Sequence, residues 1–444
     1  MPEATPFASV KVCVRVYIPA QSLRLAHSHA RLDRNYLIYI CYFLLIDHKS
    51  CRGIFDSACK RARFSGVAKH TVWIYSVFSW AWLTENVVLD SGLESVMSDA
   101  IRKVLHIDCD CFFAAVEMRE QPHLRDVPIA IGGESDRRGV IATCNYKARE
   151  FGVRSAMATA TARRLCPDLV LVRGRMELYR EVSSQVMAIL REYSPVLEQV
   201  SVDEAYLELE SDQHAAAIAE AIRERVQREL GITVSVGGAP NKFLAKVASD
   251  WNKPNGQMMI PPAEVDAFVR ALPVGRIPGV GPAFQTRLKA LGIETCEDAR
   301  GWDLKELIRR FGRSGVLLFQ RSRGQDNRPL SLERERKSVS VERTYAQDKT
   351  QHQECIAEVA ALYERWQERV SRTPWKPEAL APFVKVKFAD FTQTTLADIQ
   401  ETATPEGFVR LLSQALQRED KPVRLLGIGG RFPQVSEQQL SLFD

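Results

Sequence analysis

The sequence predicts a multidomain α+β protein. Three observations carry that prediction. Residues 101–265 alternate short strand-like and helical stretches around one hairpin-like segment, 196–210. Residues 264–332 have a helical period broken by Gly and Pro. Residues 338–432 then return to mixed strands and helices, so strands and helices fall in blocks rather than in one long alternation.

The elements follow in order. Val104–Asp110 reads as a strand with apolar residues at 105, 107 and 109, so His106, Asp108 and Asp110 share the opposite face. Asp110 stands just before the helical run FFAAVEMRE, with Cys111 between, and is expected to cap it. Strands at 129–133 and 140–144 precede a helix, NYKAREFG, closed by glycine. An amphipathic helix covers about 176–192. The segment VLEQVSVDEAYLELE (196–210) has strand-like alternation on both sides of Asp203, hence a hairpin turning there. A helix at 213–230 and a strand at 232–239 complete a βαβ-like unit. Further on, ERERK (333–337) is a polar joint. Beyond it, SVSVERTYA, FVKVKFADF and VRLLGIGGRF are strands, and 353–370 and 405–417 are helices. The tail, 433–444, is polar and expected to be disordered up to its last six residues.

Composition excludes little by itself. The chain has 444 residues, is 45% hydrophobic and carries a formal net charge of +5. Residues 1–96 hold 11 Lys/Arg against 7 Asp/Glu, which leaves only +1 for the remainder. Nucleic-acid binding there must come from local basic patches, not from a global field. The ten cysteines form no CxxC pair and read as reduced thiols of a cytosolic protein. HIDCDC (106–111) lacks a second Cys/His pair and does not read as a zinc site. The longest apolar run, Tyr36–Ile46, has 11 residues, far short of the roughly 20 that cross a bilayer, so no membrane association is expected.

Residues 1–96 differ from the rest. They contain four of the cysteines and Trp73, Trp80 and Trp82, without a clean helical or strand period. At Met97 the text becomes regular. The leading reading is that Met97 is the initiator and 1–96 is an extension outside the functional fold; an accessory domain or a targeting segment are the alternatives.

An Asp at the end of an N-terminal strand (Asp108) and an Asp-Glu pair at a hairpin turn (Asp203, Glu204) are what a magnesium-dependent phosphoryl-transfer site needs. Aspartates at strand ends are also common as caps, so spacing leaves both readings open.

The segments HIDCDCFFAAVE, GVIATCNYKAREFGVRSAM, SVDEAYLEL, GGAPNKFLAKVASDWNKPNG and IPGVGPAFQTRLKALGI resemble, in order, the motifs of the Y-family DNA polymerases, most closely the bacterial polymerase IV (DinB) type. The resemblance runs from about 101 to 432. It implies a right-hand fold with a palm (97–110 and 174–265), fingers (111–173), a thumb with a helix-hairpin-helix (266–332), a linker (333–337) and a little finger (338–432). It implies DNA-directed DNA synthesis past lesions, distributive and of low fidelity, by a cytoplasmic, nucleoid-associated bacterial monomer. With every segment from 97 on assigned, no proofreading exonuclease is expected.

Carried over by residue, the resemblance makes Asp108, Asp203 and Glu204 catalytic carboxylates holding two Mg2+ ions, with the backbone carbonyl of Cys109 as a further metal contact. Phe113 corresponds to the aromatic gate that excludes a ribose 2′-hydroxyl, leaving Phe112 to the core. Thr143, Tyr146, Arg149 and Lys253 correspond to triphosphate contacts; Tyr146 and Arg149, three apart on a helix, share a face. IPGVG (277–281) offers backbone N–H groups to a primer-template phosphate. Arg336, Lys337, Arg343, Lys385 and Lys387 supply the little finger's basic strands. Gln439, Leu440, Ser441, Leu442 and Phe443 resemble the pentapeptide that binds the bacterial sliding clamp.

Two rivals remain at this point. A non-catalytic DNA-binding relative would have lost a metal carboxylate, and all three are present. A polymerase subunit that needs a protein partner is the other.

Overall fold

The computed structural model describes residues 102–134, 138–333 and 335–433. The expectations for 1–96 and for the pentapeptide at 439–443 lie outside the described residues. The first part runs β1 (Lys103–Cys109), α1 (Phe112–Glu120), β2 (Ile129–Gly132), β3 (Ile141–Cys144), α2 (Tyr146–Glu150), α3 (Thr159–Leu165), β4 (Val170–Val172), α4 (Met176–Arg191), β5 (Leu197–Gln199), β6 (Glu204–Leu209), α5 (Ala215–Leu230), β7 (Val234–Ala239), α6 (Lys242–Ser249) and β8 (Gln257–Met259).

β1 is the middle of a sheet ordered β5-β6-β1-β7-β8. It is antiparallel to both β6 and β7. β6 and β7 are therefore parallel to each other, joined by α5 and separated by β1: a split βαβ unit. Both faces of the sheet are covered, which is why KVLHIDC is buried almost throughout. Leu105, Ile107 and Cys109 face a core with Tyr179, Val182, Val186 and Met187 of α4 and Ala219, Ile222 and Val226 of α5. Val104 faces the other way, into a core with Phe243, Leu244 and Val247 of α6. α6 lies directly on the strand backbone: a Cβ on Gly237 would come within 2.1 Å of the Ala245 carbonyl oxygen, so that position admits only glycine.

β2, β3 and β4 form a separate three-stranded sheet, β3-β2-β4. Its small core holds Ala130, Ile141, Cys144, Ala148, Ala162 and Leu169. The helical segment follows: α7 (Val265–Ala271), α8 (Pro282–Lys289), α9 (Cys296–Arg300), α10 (Leu304–Phe311) and α11 (Arg313–Arg321). The PGVG turn enters α8 through Gly279 at φ 95, a conformation glycine adopts without cost, with Pro282 at the first helical position.

The last part comprises β9 (Ser338–Lys349), α12 (His352–Ala357), α13 (Val359–Val370), β10 (Ala381–Phe388), β11 (Gln393–Ala397), α14 (Pro405–Leu416) and β12 (Val423–Arg431), with the sheet ordered β11-β10-β12-β9. The helix expected over 353–370 is two helices, because the chain turns at Glu358, whose N–H bonds back to Cys355 and Ile356. Trp366 on α13 is fully buried, packs edge-on against Phe408 and donates its Nε1–H to the Val339 carbonyl at 3.0 Å. Trp366→Ala is expected to cost this unit about 3–5 kcal/mol, read as an earlier urea transition by circular dichroism; an unmoved transition contradicts that packing role.

The cysteines among the described residues are free and buried, and no helix among them is long and apolar enough to cross a membrane.

Candidate active site

The β1–β6 register brings the carboxylates together. Asp108 is paired directly with Glu204 across the two strands. Asp203, one residue before, accepts the Cys109 N–H at its carbonyl, 2.9 Å away. Ser201 shapes the turn: its hydroxyl donates to the Asp203 carboxylate and accepts the Glu204 N–H at 3.1 Å. Like charges placed opposite one another weaken a sheet, so this is a local conflict of the kind found at functional sites.

Lysines neutralise the cluster. Lys253 lies 2.6 Å from Asp108 and 2.8 Å from Asp250, three residues upstream. Lys246 on α6 is paired with Glu204. Burial pushes Asp108 up to about 6, with Lys253 opposing. Burial also works against the charge on Lys253, but Asp108 and Asp250 outweigh it and raise its pKa. Beneath Glu204 lies His106, buried and pushed down to about 4 by that burial, hence neutral near pH 7. Its Nδ1 is 2.7 Å from the Ser249 hydroxyl and its Nε2 3.4 Å from Glu204. Hydrogen bonding from His106, then from Lys246, holds Glu204 down to about 2 against its own burial. Ligand atoms of His106, Asp108 and Glu204 all lie within 4.8 Å of one another.

A cleft of about 190 Å3 opens over these groups, lined by Asp108, Cys109, Asp203, Phe113, Thr143, Tyr146, Arg149 and Lys253 together with Cys111, Phe112, Ala142 and Ser155. Each site residue expected from the sequence except Glu204 lines it, and Glu204 is paired across the strands with Asp108. Thr143 comes from β3, and Tyr146 and Arg149 from α2 with the Arg149 guanidinium 4.6 Å over the Tyr146 ring. Asn145 fixes this helix: its Oδ1 accepts the N–H of Ala148 (3.0 Å) and of Ile129 (3.1 Å). A larger hollow of about 650 Å3 is lined by Arg191, Pro195, Leu197 and Leu332 among others; no carboxylate lines it, so it cannot hold phosphoryl-transfer chemistry of this type.

Phe112 is 2% exposed and belongs to the core, whereas Phe113 is partly buried and stacks on Tyr179, centroids 4.4 Å apart and 13° between planes. The Tyr179 hydroxyl donates to Glu117 at 2.6 Å, and Glu117 takes both arms of the Arg175 guanidinium. The ring of Phe113 is therefore held from behind.

Asp110 does not cap α1. Cys111 occupies the cap position, at φ 41 and without a side-chain capping bond. The Asp110 carboxylate turns inward, to Thr233, Ser235 and the Asn255 N–H, which offer it more donors than a helix terminus does.

Comparison with known proteins decides what this arrangement belongs to. Residues 107–250 match the impB/mucB/samB family and 336–442 its C-terminal domain; 275–326 match the thumb domain of DNA polymerase-iota. DNA polymerase IV of Ectopseudomonas mendocina is 49% identical over 348 residues, 77% of this chain and 99% of that protein. The DNA polymerase IV of Shewanella oneidensis is 49% identical over 333 residues, 74% of this chain and 93% of that protein. The chain belongs to the Y-family DNA polymerases, of the polymerase IV type. A solved Y-family DNA polymerase chimera, Dbh-Dpo4(243-245)-Dbh, aligns with a TM-score of 0.65 at 25% identity, covering 74% of this chain and 98% of the chimera. The Y-family fold is thus a palm, fingers and thumb with an added little finger.

In this Y-family enzyme the sequence reading passed over Lys246, His106 and Asp250 beside the carboxylates, and Tyr179, Glu117 and Arg175 behind Phe113. The i, i+3 spacing of Asp250 and Lys253 could have revealed one of them. His106 shares the strand face of Asp108, and the remaining four are brought in by tertiary contacts. Of the basic residues expected on the little finger, Lys385 and Lys387 alternate with buried Val384, Val386 and Phe388 and face away from the helices. Lys385 pairs with Glu342 at 3.0 Å. Arg343 instead reaches Glu358 at the end of α12, 3.1 Å away.

Proposed function

We propose that this DNA-directed DNA polymerase extends a primer past damaged template positions, distributively and at low fidelity, by two-metal nucleotidyl transfer. The observation that carries the reading is one cleft lined by the carboxylates of Asp108 and Asp203, with Glu204 paired to Asp108 on the neighbouring strand, cationic and hydroxyl side chains on its rim and an aromatic ring at its side. In this reading residues 97–110 and 174–265 form the palm, 111–173 the fingers, 266–332 the thumb and 338–432 the little finger.

The residues fit divalent ions. Asp108, Asp203 and Glu204 offer hard carboxylate oxygens, with the Cys109 backbone carbonyl beside them, the donor set magnesium prefers. Burial works against the charge on Asp108, and a bound cation would offset that cost as Lys253 does here. Two bound Mg2+ ions would activate the primer 3′-hydroxyl and stabilise the leaving pyrophosphate. The rest is done by the chain. Lys253 exchanges Asp108 for the triphosphate, which Thr143, Tyr146 and Arg149 bind from the fingers. Phe113 lies under the sugar and leaves a 2′-hydroxyl no room.

Lesion tolerance follows from the walls. Ala142 and Ser155 are small and exposed, so this side of the cleft sets little bulk against the nascent pair. Shape selection of the nascent pair is correspondingly weak. Primer extension on an undamaged and an abasic template tests the reading. Products should appear on both with Mg2+, end after one or a few additions when a DNA trap is present, and vanish with EDTA. Extension that ignores EDTA, or a complete block at the abasic site, contradicts it.

The tail has its own role in this reading, as a tether to a sliding clamp through Gln439–Phe443, while the enzyme works as a monomer in the bacterial cytoplasm. Leu440, Leu442 and Phe443 are grouped where they can fill an apolar pocket, and a peptide that orders on binding has an affinity on the order of micromolar. Deleting 439–444 should spare extension of a bare primer-template and abolish stimulation by loaded clamp; equal stimulation of both proteins rules the tether out.

A further inference from the structure

The Asp110 carboxylate is 2% exposed, and no cation among the described residues pairs with it. Four donors surround it instead. Oδ1 accepts from the Ser235 hydroxyl at 2.8 Å and the Tyr146 hydroxyl at 3.4 Å; Oδ2 accepts from the Thr233 hydroxyl at 2.8 Å and the Asn255 N–H at 2.7 Å. Each oxygen thus has both acceptor sites used. Thr233 and Ser235 are scaffold, at the start of β7. The other two donors belong to the substrate-facing parts. Tyr146 is on the rim of the cleft, and Asn255 is two residues beyond Lys253.

The loop carrying Lys253 is held at Asn255 from two sides. Asp110 takes the N–H, while Arg223 reaches the Asn255 backbone carbonyl and, at 3.1 Å, its side-chain oxygen. Asn255 is at φ 49, a conformation most side chains avoid. The next turn is tight enough that a Cβ on Gly256 would fall 1.9 Å from the Asn252 carbonyl oxygen, and Gly256 N–H also bonds to Ser235 Oγ at 3.3 Å. Segments from the fingers and from beyond α6 therefore meet on one carboxylate, two residues from the catalytic Asp108.

We propose that Asp110 is a positioning residue for nucleotide binding: by accepting from Asn255 and Tyr146 together, it sets Lys253 and Tyr146 at the spacing the triphosphate requires. The inference rests on the reading of Lys253 as a triphosphate clamp. An amide replaces this carboxylate poorly. Asn at 110 has one accepting oxygen where the carboxylate has two, so hydroxyls must turn to accept from its NH2 group, and even with its oxygen on the Asn255 N–H that bond loses the carboxylate's charge.

The test is a double-mutant cycle in the full chain, with steady-state incorporation of a single nucleotide. Asp110→Asn should raise KM for the nucleotide about tenfold while changing kcat less than about threefold. Primer-template affinity and melting temperature should stay close to those of the parent. In the Lys253→Ala background the same substitution should add less than about threefold, because the part of its effect that passes through Lys253 is already lost and only its hold on Tyr146 remains. If Asp110→Asn does not fold, Thr233→Val, which removes one donor and keeps the side-chain shape, is carried through the same cycle and should show a smaller KM rise with the same non-additivity. Equal effects of the substitution in both backgrounds, or a loss seen only in kcat and melting temperature, overturn the proposal while leaving the clamp reading intact. An unchanged KM in Lys253→Ala alone overturns the clamp reading, and the positioning role falls with it.

Discussion

Asp203→Ala and Glu204→Ala are each expected to slow primer extension by roughly 10³-fold or more, on the order of 4 kcal/mol of transition-state stabilisation, while primer-template affinity changes little. The turn carrying the two residues is also held by backbone bonds, from the Asp203 and Glu204 N–H groups to Ser201 Oγ and from the Cys109 N–H to the Asp203 carbonyl, which remain when either side chain is removed. Their consequences differ in detail. Removing Glu204 leaves Lys246 and the buried His106 without their carboxylate; Glu204→Gln, which keeps the hydrogen-bonding shape, separates that effect from loss of charge. Asp203 has no lysine partner among the described residues, so Asp203→Ala reports on the carboxylate alone. The measurement is single-turnover incorporation beside DNA binding by anisotropy. Near-parental rates in either mutant reject the floor of the cleft as the reaction centre.

Phe113→Ala is expected to raise ribonucleotide incorporation relative to deoxyribonucleotide about 10²-fold, the scale at which shape alone discriminates one small group. The ring is clamped flat against Tyr179, whose hydroxyl is in turn held by Glu117, so it cannot swing aside for a 2′-hydroxyl. The adjacent Phe112 is the internal control. It is 2% exposed, and Phe112→Ala should cost about 3–5 kcal/mol of stability with little change in sugar selection. Competition between the two nucleotide classes on one template checks both. Unchanged discrimination in Phe113→Ala would place the gate elsewhere.

Much of the fold was legible because local pattern and tertiary environment agree. Apolar residues at 105, 107 and 109 do face one core, and the hairpin does turn at Asp203. The motifs also named residues that line the cleft, most of them close to the ends of strands or helices, with Lys253 in the loop after α6. The misreadings share a physical cause. Asp110 looked like a cap because cap chemistry is local, whereas its actual donors, Thr233, Ser235 and Asn255, lie more than a hundred positions away in the sequence. β11 escaped notice because QTTLA is an edge strand with much of its surface in solvent and so has no apolar alternation. Lys246 and Tyr179 look like ordinary residues of amphipathic helices, and nothing in their spacing says that one reaches Glu204 and the other backs Phe113.

If Asp108, Asp203 and Glu204 hold the ions of a two-metal reaction, and Lys253 leaves Asp108 when substrate arrives, both should be visible in one crystal. Anomalous diffraction from the protein with primer-template, a non-hydrolysable nucleotide and Mn2+ should show two manganese peaks about 3.5–4 Å apart, bounded by those three carboxylates, with the Lys253 ammonium on the triphosphate. A single peak away from the carboxylates, or a Lys253 still paired with Asp108 in the presence of bound nucleotide, would contradict this assignment.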